Sequence, residues 1–280
     1  DAAGDGAVVD TTTYSDATGD KKVLWATGGT RAGTFRLPVS IYSTSRPVPV
    51  ARGALFTESS FASRETMLWK SDGTTAGTGT VAEVPGSGDL TSDGKTACFF
   101  ETRHASWRDP VERQLWCSDG TFKGTRTVGP VLSAPRLRNI YGGMALLAGR
   151  AYVCGTDDSF SGWSLFALGE RGITAEIRPE APRMGRCQYP IRTAAGRVWF
   201  YTAPIWSGEP TSLWASDGTP AGTVRVTELA GQGSDPIPLG DVVFFVATPD
   251  GSGRRRPIWR SDGTGAGPVT PFGLPPPNSA

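Results

Sequence analysis

Histidine is nearly absent from these 280 residues, and His104 stands alone. One imidazole rules out a multi-histidine metal centre and leaves a single candidate for any Ser-His-Asp arrangement. Gly-x-Ser-x-Gly elbows, phosphate-binding loops and dinucleotide-type Gly-x-Gly-x-x-Gly turns are also missing. With them go the patterns of α/β-hydrolases, P-loop proteins and Rossmann enzymes. Long apolar runs are scarce: 144–147 and 242–247 are representative, far short of the roughly 18 residues of a membrane-spanning helix. Neither sign of charge is in excess, with 28 Lys and Arg against 27 Asp and Glu. Such a chain is not built to coat nucleic acid or anionic lipid, so neither nucleic-acid binding nor membrane insertion is expected. No initiator Met or apolar leader precedes Asp1, which reads as a processed form.

Turn formers and small apolar clusters are what the chain does have. It carries 37 Gly and 22 Pro, no long Ala/Leu/Glu/Lys stretch, and 38% hydrophobic residues. That favours short strands joined by many turns, with enough apolar side chains for a sizeable core.

Internal repetition is the strongest signal. Residues 68–78 read LWKSDGTTAGT, 115–125 read LWCSDGTFKGT and 213–223 read LWASDGTPAGT. Looser copies are LWATGGTRAGT at 24–34 and IWRSDGTGAGP at 258–268, and a degenerate one is LFALGERGI at 165–173. The aromatic anchors Trp25, Trp69, Trp116, Phe166, Trp214 and Trp259 are spaced by 44, 47, 50, 48 and 45 residues. Short β-branched and aromatic runs precede each Leu-Trp copy, such as 97–100 and 198–201, and extended stretches such as 80–84 follow it. Four short strands per period of this length predict a propeller blade. The expected fold is therefore all-β: a single six-bladed β-propeller over residues 1–280, with four short antiparallel strands per blade. Its repeats lie near 1–40, 41–86, 87–132, 133–181, 182–230 and 231–280.

The Ser-Asp-Gly-Thr element has a backbone explanation. Asp72, Asp119, Asp217 and Asp262 can accept N–H bonds across a tight turn, and the Gly after each tolerates positive φ. The Trp of each copy is expected to pack between blades. Residues 2–4 align with 194–196 at the end of an innermost strand, so the chain starts almost one strand late. Residues 278–280 beside 1–4 would close the ring, or a neighbouring copy would supply the strand.

These copies resemble the bacterial proteins built from ELWxxDGT repeats, which are often secreted or surface-associated. The resemblance spans essentially the whole chain. It implies a fold and a location, secreted or at the cell surface, but carries no catalytic motif. The Glu before Leu-Trp is replaced here by Val23, Met67, Gln114, Ser212 and Pro257.

Cys98, Cys117, Cys154 and Cys187 lack zinc-type Cys-x-x-Cys spacing and read as two disulfides or as four buried thiols. The hairpin pairing that sets Phe99 opposite Trp116 also sets Cys98 opposite Cys117, on the second and third strands of the third blade. Cys154, on the second strand of the fourth blade, would pair with Cys187, placed just before the first strand of the fifth.

The candidate site is a face of loops. Between second and third strands the chain carries Tyr14, Phe61, Arg103 with Trp107 and Arg108, Phe160 with Trp163, Trp206, and Arg254, Arg255 and Arg256. Aromatic rings and guanidinium groups gathered on one face would stack on sugars or seat a protein partner. The expectation is a non-enzymatic binding module for a glycan or a surface protein. Assembly through the terminal strand is one alternative. A hydrolase or lyase using Asp89, Asp235 or Asp241 at a channel mouth is another. His104 beside Trp107 and Asp109 reads as an exposed loop histidine. No cofactor is expected beyond a structural calcium on loop carboxylates such as Asp157, Asp158, Asp235 or Asp250, none of them with EF-hand spacing.

Overall fold

A computed structural model describes residues 7–16, 19–27, 30–41, 45–59, 66–85, 89–103, 112–132, 137, 139–156, 163–179, 184–203, 210–231, 233–248 and 257–269. Regular structure among them is all β, with twenty-three strands and no helix. The first sheet has three strands, β1 (Ala7–Asp16), β2 (Gly19–Thr27) and β3 (Thr34–Ile41). The second has β4 (Val48–Val50), β5 (Gly53–Ser59), β6 (Thr66–Ser71) and β7 (Gly79–Val84). In the third are β8 (Thr91–Ser92), β9 (Ala97–Arg103), β10 (Glu112–Ser118) and β11 (Arg126–Leu132). The fourth has β12 (Asn139–Leu147), β13 (Arg150–Thr156), β14 (Trp163–Gly169) and β15 (Gly172–Ile177). The fifth follows with β16 (Arg186–Ala194), β17 (Arg197–Ala203), β18 (Thr211–Ser216) and β19 (Thr223–Leu229). The sixth has β20 (Ile237–Leu239), β21 (Val242–Val246), β22 (Ile258–Ser261) and β23 (Ala266–Pro268).

In every sheet the strands pair in chain order, the build of a propeller blade. In the first sheet β2 holds Trp25, so β1 corresponds to the second strand of the others. Residues 1–4 and 278–280 lie outside the described residues. The chain forms two compact units. One comprises Asp1–Arg138, Ala148–Ala151 and Leu168–Thr174; the other comprises Asn139–Leu147, Tyr152–Ala167 and Ala175–Ala280.

A single packing rule runs through both units. Neighbouring strand residues point to opposite faces, so Leu and Trp of one copy serve different interfaces. In the first unit, Phe56 and Trp69 of the second sheet pack on Leu24, Ala26 and Leu37 of the first. Leu55, Leu68 and Val84, on the other face of the second sheet, meet Ala97, Phe99 and Trp116 of the third. The second unit repeats this: Tyr152, Leu165 and Ile177 of the fourth sheet receive Val198, Phe200 and Trp214 of the fifth. Tyr201, Leu213 and Leu229 then receive Val243, Phe245 and Trp259 of the sixth. Each such aromatic burial contributes roughly 1.5–3 kcal/mol.

Both disulfides are formed. Cys98 and Cys117 sit directly across β9 and β10 with Cα atoms 4.1 Å apart. Cys154 of β13 reaches Cys187 across the fourth and fifth sheets, Cα to Cα 6.1 Å. Cys187 lies inside the first strand of the fifth sheet, not ahead of it. An irregularity between Gln188 and Ile191 lets the pairing continue back to Arg186.

The repeat turn accounts for its own sequence. Asp72 Oδ1 accepts the Thr74 N–H at 2.8 Å and the Thr74 hydroxyl at 2.7 Å. Thr74 Oγ1 accepts the Gly77 N–H at 2.9 Å, and the Thr78 hydroxyl donates to the Thr74 carbonyl at 2.6 Å. Ser71 Oγ accepts the Gly73 N–H at 3.1 Å and bonds Thr78 Oγ1 at 2.7 Å. The same network recurs around Asp119 and Asp217. Its first half recurs around Asp262. The second Gly of the motif is also dictated, because the Asp72 carboxylate occupies the place of a Cβ at Gly77.

These bonds favour the charged carboxylate. The Thr hydroxyl, first among the causes, holds Asp72, Asp119, Asp217 and Asp262 below the ordinary aspartate value. A carboxylate depressed in the folded state stabilises above its unfolded pKa, about 3.9. That contribution is lost as pH falls through the folded value. Urea midpoints followed against pH should therefore drop on the acid side of about pH 4. An Asp72→Asn/Asp119→Asn/Asp217→Asn variant should show a flatter acid limb.

Among the glycines that follow the Asp in the Ser-Asp-Gly-Thr turns, Gly218 is the most constrained: its φ is +93°, and an added Cβ would overlap the Tyr152 hydroxyl of the fourth sheet. Gly218→Ala should cost about 1–3 kcal/mol. Tyr152→Phe should recover part of that loss in the double variant, measured by chemical denaturation, since the φ strain remains.

Candidate functional site

The structure moves three of the expected loop residues onto strands. Tyr14 pairs with Lys21 inside β1–β2, where the ladder continues to Asp16 and Gly19. Arg103 is the last residue of β9, opposite Glu112. Trp163 opens β14, half-buried and packed against the cluster of Tyr152, Leu165 and Trp214. In each case hairpin pairing extends further than the apolar run alone indicated. Phe61, Trp107, Arg108, Phe160, Trp206, Arg254, Arg255 and Arg256 lie outside the described residues. So do His104, Asp109, Asp157, Asp158 and Asp250.

What the structure does show is how the loops are rooted. The Trp69 indole donates to Glu58 Oε2 at 2.9 Å, and the Trp116 indole to Glu101 Oε2 at 2.9 Å. Trp214 donates to Thr202 Oγ1 at 3.0 Å, and Trp259 to the Ala247 carbonyl at 3.3 Å. Each acceptor stands two residues beyond the Phe paired with that Trp. The Phe–Trp ring pairs are nearly parallel, with centroids 6.1 to 6.3 Å apart. These acceptors lie at the ends of β5, β9 and β17 and just after β21. Those are the strand ends from which the loops carrying Phe61, Trp107, Trp206 and Arg254 depart. One brace therefore mounts four loops of unrelated sequence.

Sequence reasoning missed this brace because hairpin lengths differ. The Phe precedes its Trp by 13 residues in the second sheet, 17 in the third and 14 in the fifth and sixth. A recurrent aromatic in the second strand was the available signal. Neighbouring first strands are joined too. The Ser92 hydroxyl donates to the Pro49 carbonyl, and Thr193 donates to the Leu146 carbonyl at 2.5 Å.

The acids named for catalysis are placed without a shared chemistry. Asp235 pairs with Arg192 at 3.3 Å, while Asp89 and Asp241 are exposed. Tyr201, whose hydroxyl donates to the Ser234 carbonyl at 3.0 Å, has its pKa pushed up by burial and by nearby Asp235. Among the described residues no three His, Cys, Asp or Glu side chains converge as a metal site.

No family model and no curated protein matches the chain. Solved structures do. An acylaminoacyl peptidase from Pyrococcus horikoshii aligns over 95% of this chain and 46% of its own, with TM-score 0.60 and 12% identity. Apo prolyl oligopeptidase B from Galerina marginata aligns over 90% and 38%, with TM-score 0.54 and 15% identity. The β-propeller domain of the Trilobed protease from Pyrococcus furiosus is also among the structural neighbours. It covers 96% of this chain and 99% of that domain at 13% identity, with TM-score 0.43. The chain spans less than half the length of the two larger proteins. At such identities the first two likenesses show the fold alone, an all-β array of antiparallel sheets.

The brace generates its own prediction. Burial raises the pKa of Glu58 against the opposing effect of the Trp69 bond, so its charge is held at some cost. Glu58→Gln keeps an acceptor and should leave the stability at neutral pH equal or slightly higher. Glu58→Ala leaves the indole N–H without its partner and should cost about 1–2 kcal/mol, read from urea unfolding of the two variants.

Proposed function

We propose that the six sheets are the six blades of a β-propeller of the ELWxxDGT-repeat kind, acting as a binding module outside the cytoplasm. The two disulfides support an oxidising compartment, which fits a secreted or surface-displayed protein. The observation that carries the binding reading is the recurrent Trp brace. Four loops that differ in length and composition leave the scaffold from equivalent, hydrogen-bonded roots. A rigid framework with variation concentrated in one set of loops is the arrangement of a recognition surface. The aromatic content of those loops, Phe61, Trp107, Phe160 and Trp206, favours a glycan held by stacking. Arg103, Arg108 and Arg254 to Arg256 would add hydrogen bonds to hydroxyl or acidic groups. A surface protein is the second ligand class that such loops suit.

Glycan-array binding, with and without calcium, tests this. Wild-type protein should bind saturably, and a Trp107→Ala/Trp206→Ala variant should lose binding by tenfold or more, roughly the 1–3 kcal/mol of one or two stacking contacts, with an unchanged melting temperature. Equal binding by a folded double variant would remove these loops from the site. Silence from both proteins would turn the search to protein ligands by affinity capture.

A further inference from the structure

A chain whose net charge is only +1 carries a row of cations at one end of three successive sheets. In a four-stranded sheet paired in chain order, the hairpin between first and second strands and the one between third and fourth lie at the same end. At that end of the second sheet stand Arg52, in the turn after Val50, and Lys70, near the end of β6. The third sheet has Lys95 and Lys123 in its two turns. The fourth has Arg150, opening β13, and Arg171, between β14 and β15. All six are exposed and belong to one compact unit, and none forms an ion pair among the described residues. Asp72 and Asp119 accept from their own turns, and Asp93 Oδ1 accepts the Lys95 and Thr96 N–H groups at 2.9 Å. Glu170 is matched by Arg126 at 3.2 Å. Six cations beside three turn-bound carboxylates leave this end positive.

Contacts inside the unit join these ends into one row. The Ser92 hydroxyl ties the first strand of the third sheet to Pro49 of the second. A Cβ at Gly120 would stand 3.8 Å from Val50 and Leu55, so the turn of Lys123 borders the second sheet where Leu55 pairs with Lys70. The Arg126 bond to Glu170 sets the turn of Arg171 beside the third sheet. Phe122 stands on the middle sheet of the three. It is 75% exposed, at a position where other copies of the turn have Thr75, Pro220 and Gly265. The cations stand at strand ends, off the faces through which sheets pack, and a Lys or Arg without an ion-pair partner stays in water.

We propose that this turn end binds an acidic polysaccharide, a sugar chain bearing carboxylate or sulfate groups. Two cations on each of three successive sheets match an extended polyanion better than a small anion. Guanidinium and ammonium groups supply charge-assisted hydrogen bonds to its anionic oxygens. Phe122 adds a ring on which a sugar can stack, a surface that a bare ionic contact would not use. The site lies at the opposite end of the strands from the loops proposed to hold a glycan. Only the choice of polysaccharide over nucleic acid rests on that earlier reading, through the oxidising compartment that the two disulfides support.

Fluorescence anisotropy of the full chain with labelled heparin, polygalacturonate, neutral dextran and single-stranded DNA tests it. Heparin carries sulfates and polygalacturonate only carboxylates, so the two separate the anion chemistries. Wild type should bind at least one acidic chain, more weakly as salt rises, and leave dextran unbound. Arg52→Gln/Lys95→Gln/Lys123→Gln should lose about tenfold or more in affinity with unchanged circular dichroism and melting temperature. Lys95→Gln and Lys123→Gln singly, each expected to lose roughly threefold, carry the test if the triple variant does not fold. Phe122→Ala should lose roughly threefold and keep the salt dependence. Trp107→Ala/Trp206→Ala should bind the acidic chains as wild type does, which separates this site from the loops. The proposal is overturned if wild type binds neither acidic chain, or if the folded triple variant binds equally well. An unchanged Phe122→Ala variant, or DNA bound as tightly as either acidic chain, would leave charge alone as what is read and overturn the polysaccharide.

Discussion

Leu68 and Trp69 are neighbours in sequence and, on a strand, must face opposite sides of their sheet. From that constraint the rest of the packing follows. Trp69 joins Phe56 in covering the first sheet, while Leu68 is covered by Phe99 and Trp116 of the third. The fifth sheet does the same with Trp214 and Leu213. A dipeptide repeated every 44 to 50 residues therefore specifies interfaces as well as strands. A sheet that kept only one of the two residues would leave a neighbour's face in water. The two halves of the rule are independent of the loops, which leaves the loops free to vary.

The turn that follows the dipeptide holds the geometry in place. Its Asp, Thr and Ser side chains satisfy donors of the turn that strand pairing leaves over, and they do so within eight residues, from Ser71 to Thr78. The hydrogen bonds of the turn are therefore closed locally, within the turn itself. Exposed carboxylates that serve backbone geometry explain why Asp72, Asp119, Asp217 and Asp262 recur without forming a catalytic group. Their lowered pKa values record hydrogen bonding to Thr, not a poised acid or base.

How much was legible in the sequence depends on what fixes each feature. Strand order, the repeated turn and the Cys98–Cys117 pairing follow from period-2 alternation and hairpin register, both readable from local spacing. The Trp brace escaped because its acceptor changes chemistry, from Glu58 and Glu101 to Thr202 and then a backbone carbonyl at Ala247. Only the position is constant, and variable hairpin lengths hide position. Tyr14, Arg103 and Trp163 were misplaced for the opposite reason. Polar or irregular residues at strand ends carry no apolar alternation, yet the ladder runs through them.

The degenerate fourth copy shows which parts of the repeat are dispensable. It keeps the apolar alternation, with Leu165 and Phe166 both buried, but loses the Ser-Asp-Gly-Thr network and closes β14 to β15 through Gly169 to Gly172. Other bonds take over. Buried Ser164 donates to Glu176 Oε1 at 2.9 Å and accepts from Arg178 Nε at 2.8 Å, while Arg178 Nε also reaches Glu176 Oε1 at 2.7 Å. These bonds tie β14 to the end of β15, at the opposite end of the hairpin from the missing turn. The Cys154–Cys187 bond then fastens this same sheet to the fifth. The face bearing Leu165 completes the core of the fifth sheet and stays apolar, whereas polar and covalent links elsewhere stand in for the turn. The hierarchy is physical: an uncovered apolar face costs more than the roughly 1 kcal/mol that one turn hydrogen bond contributes net.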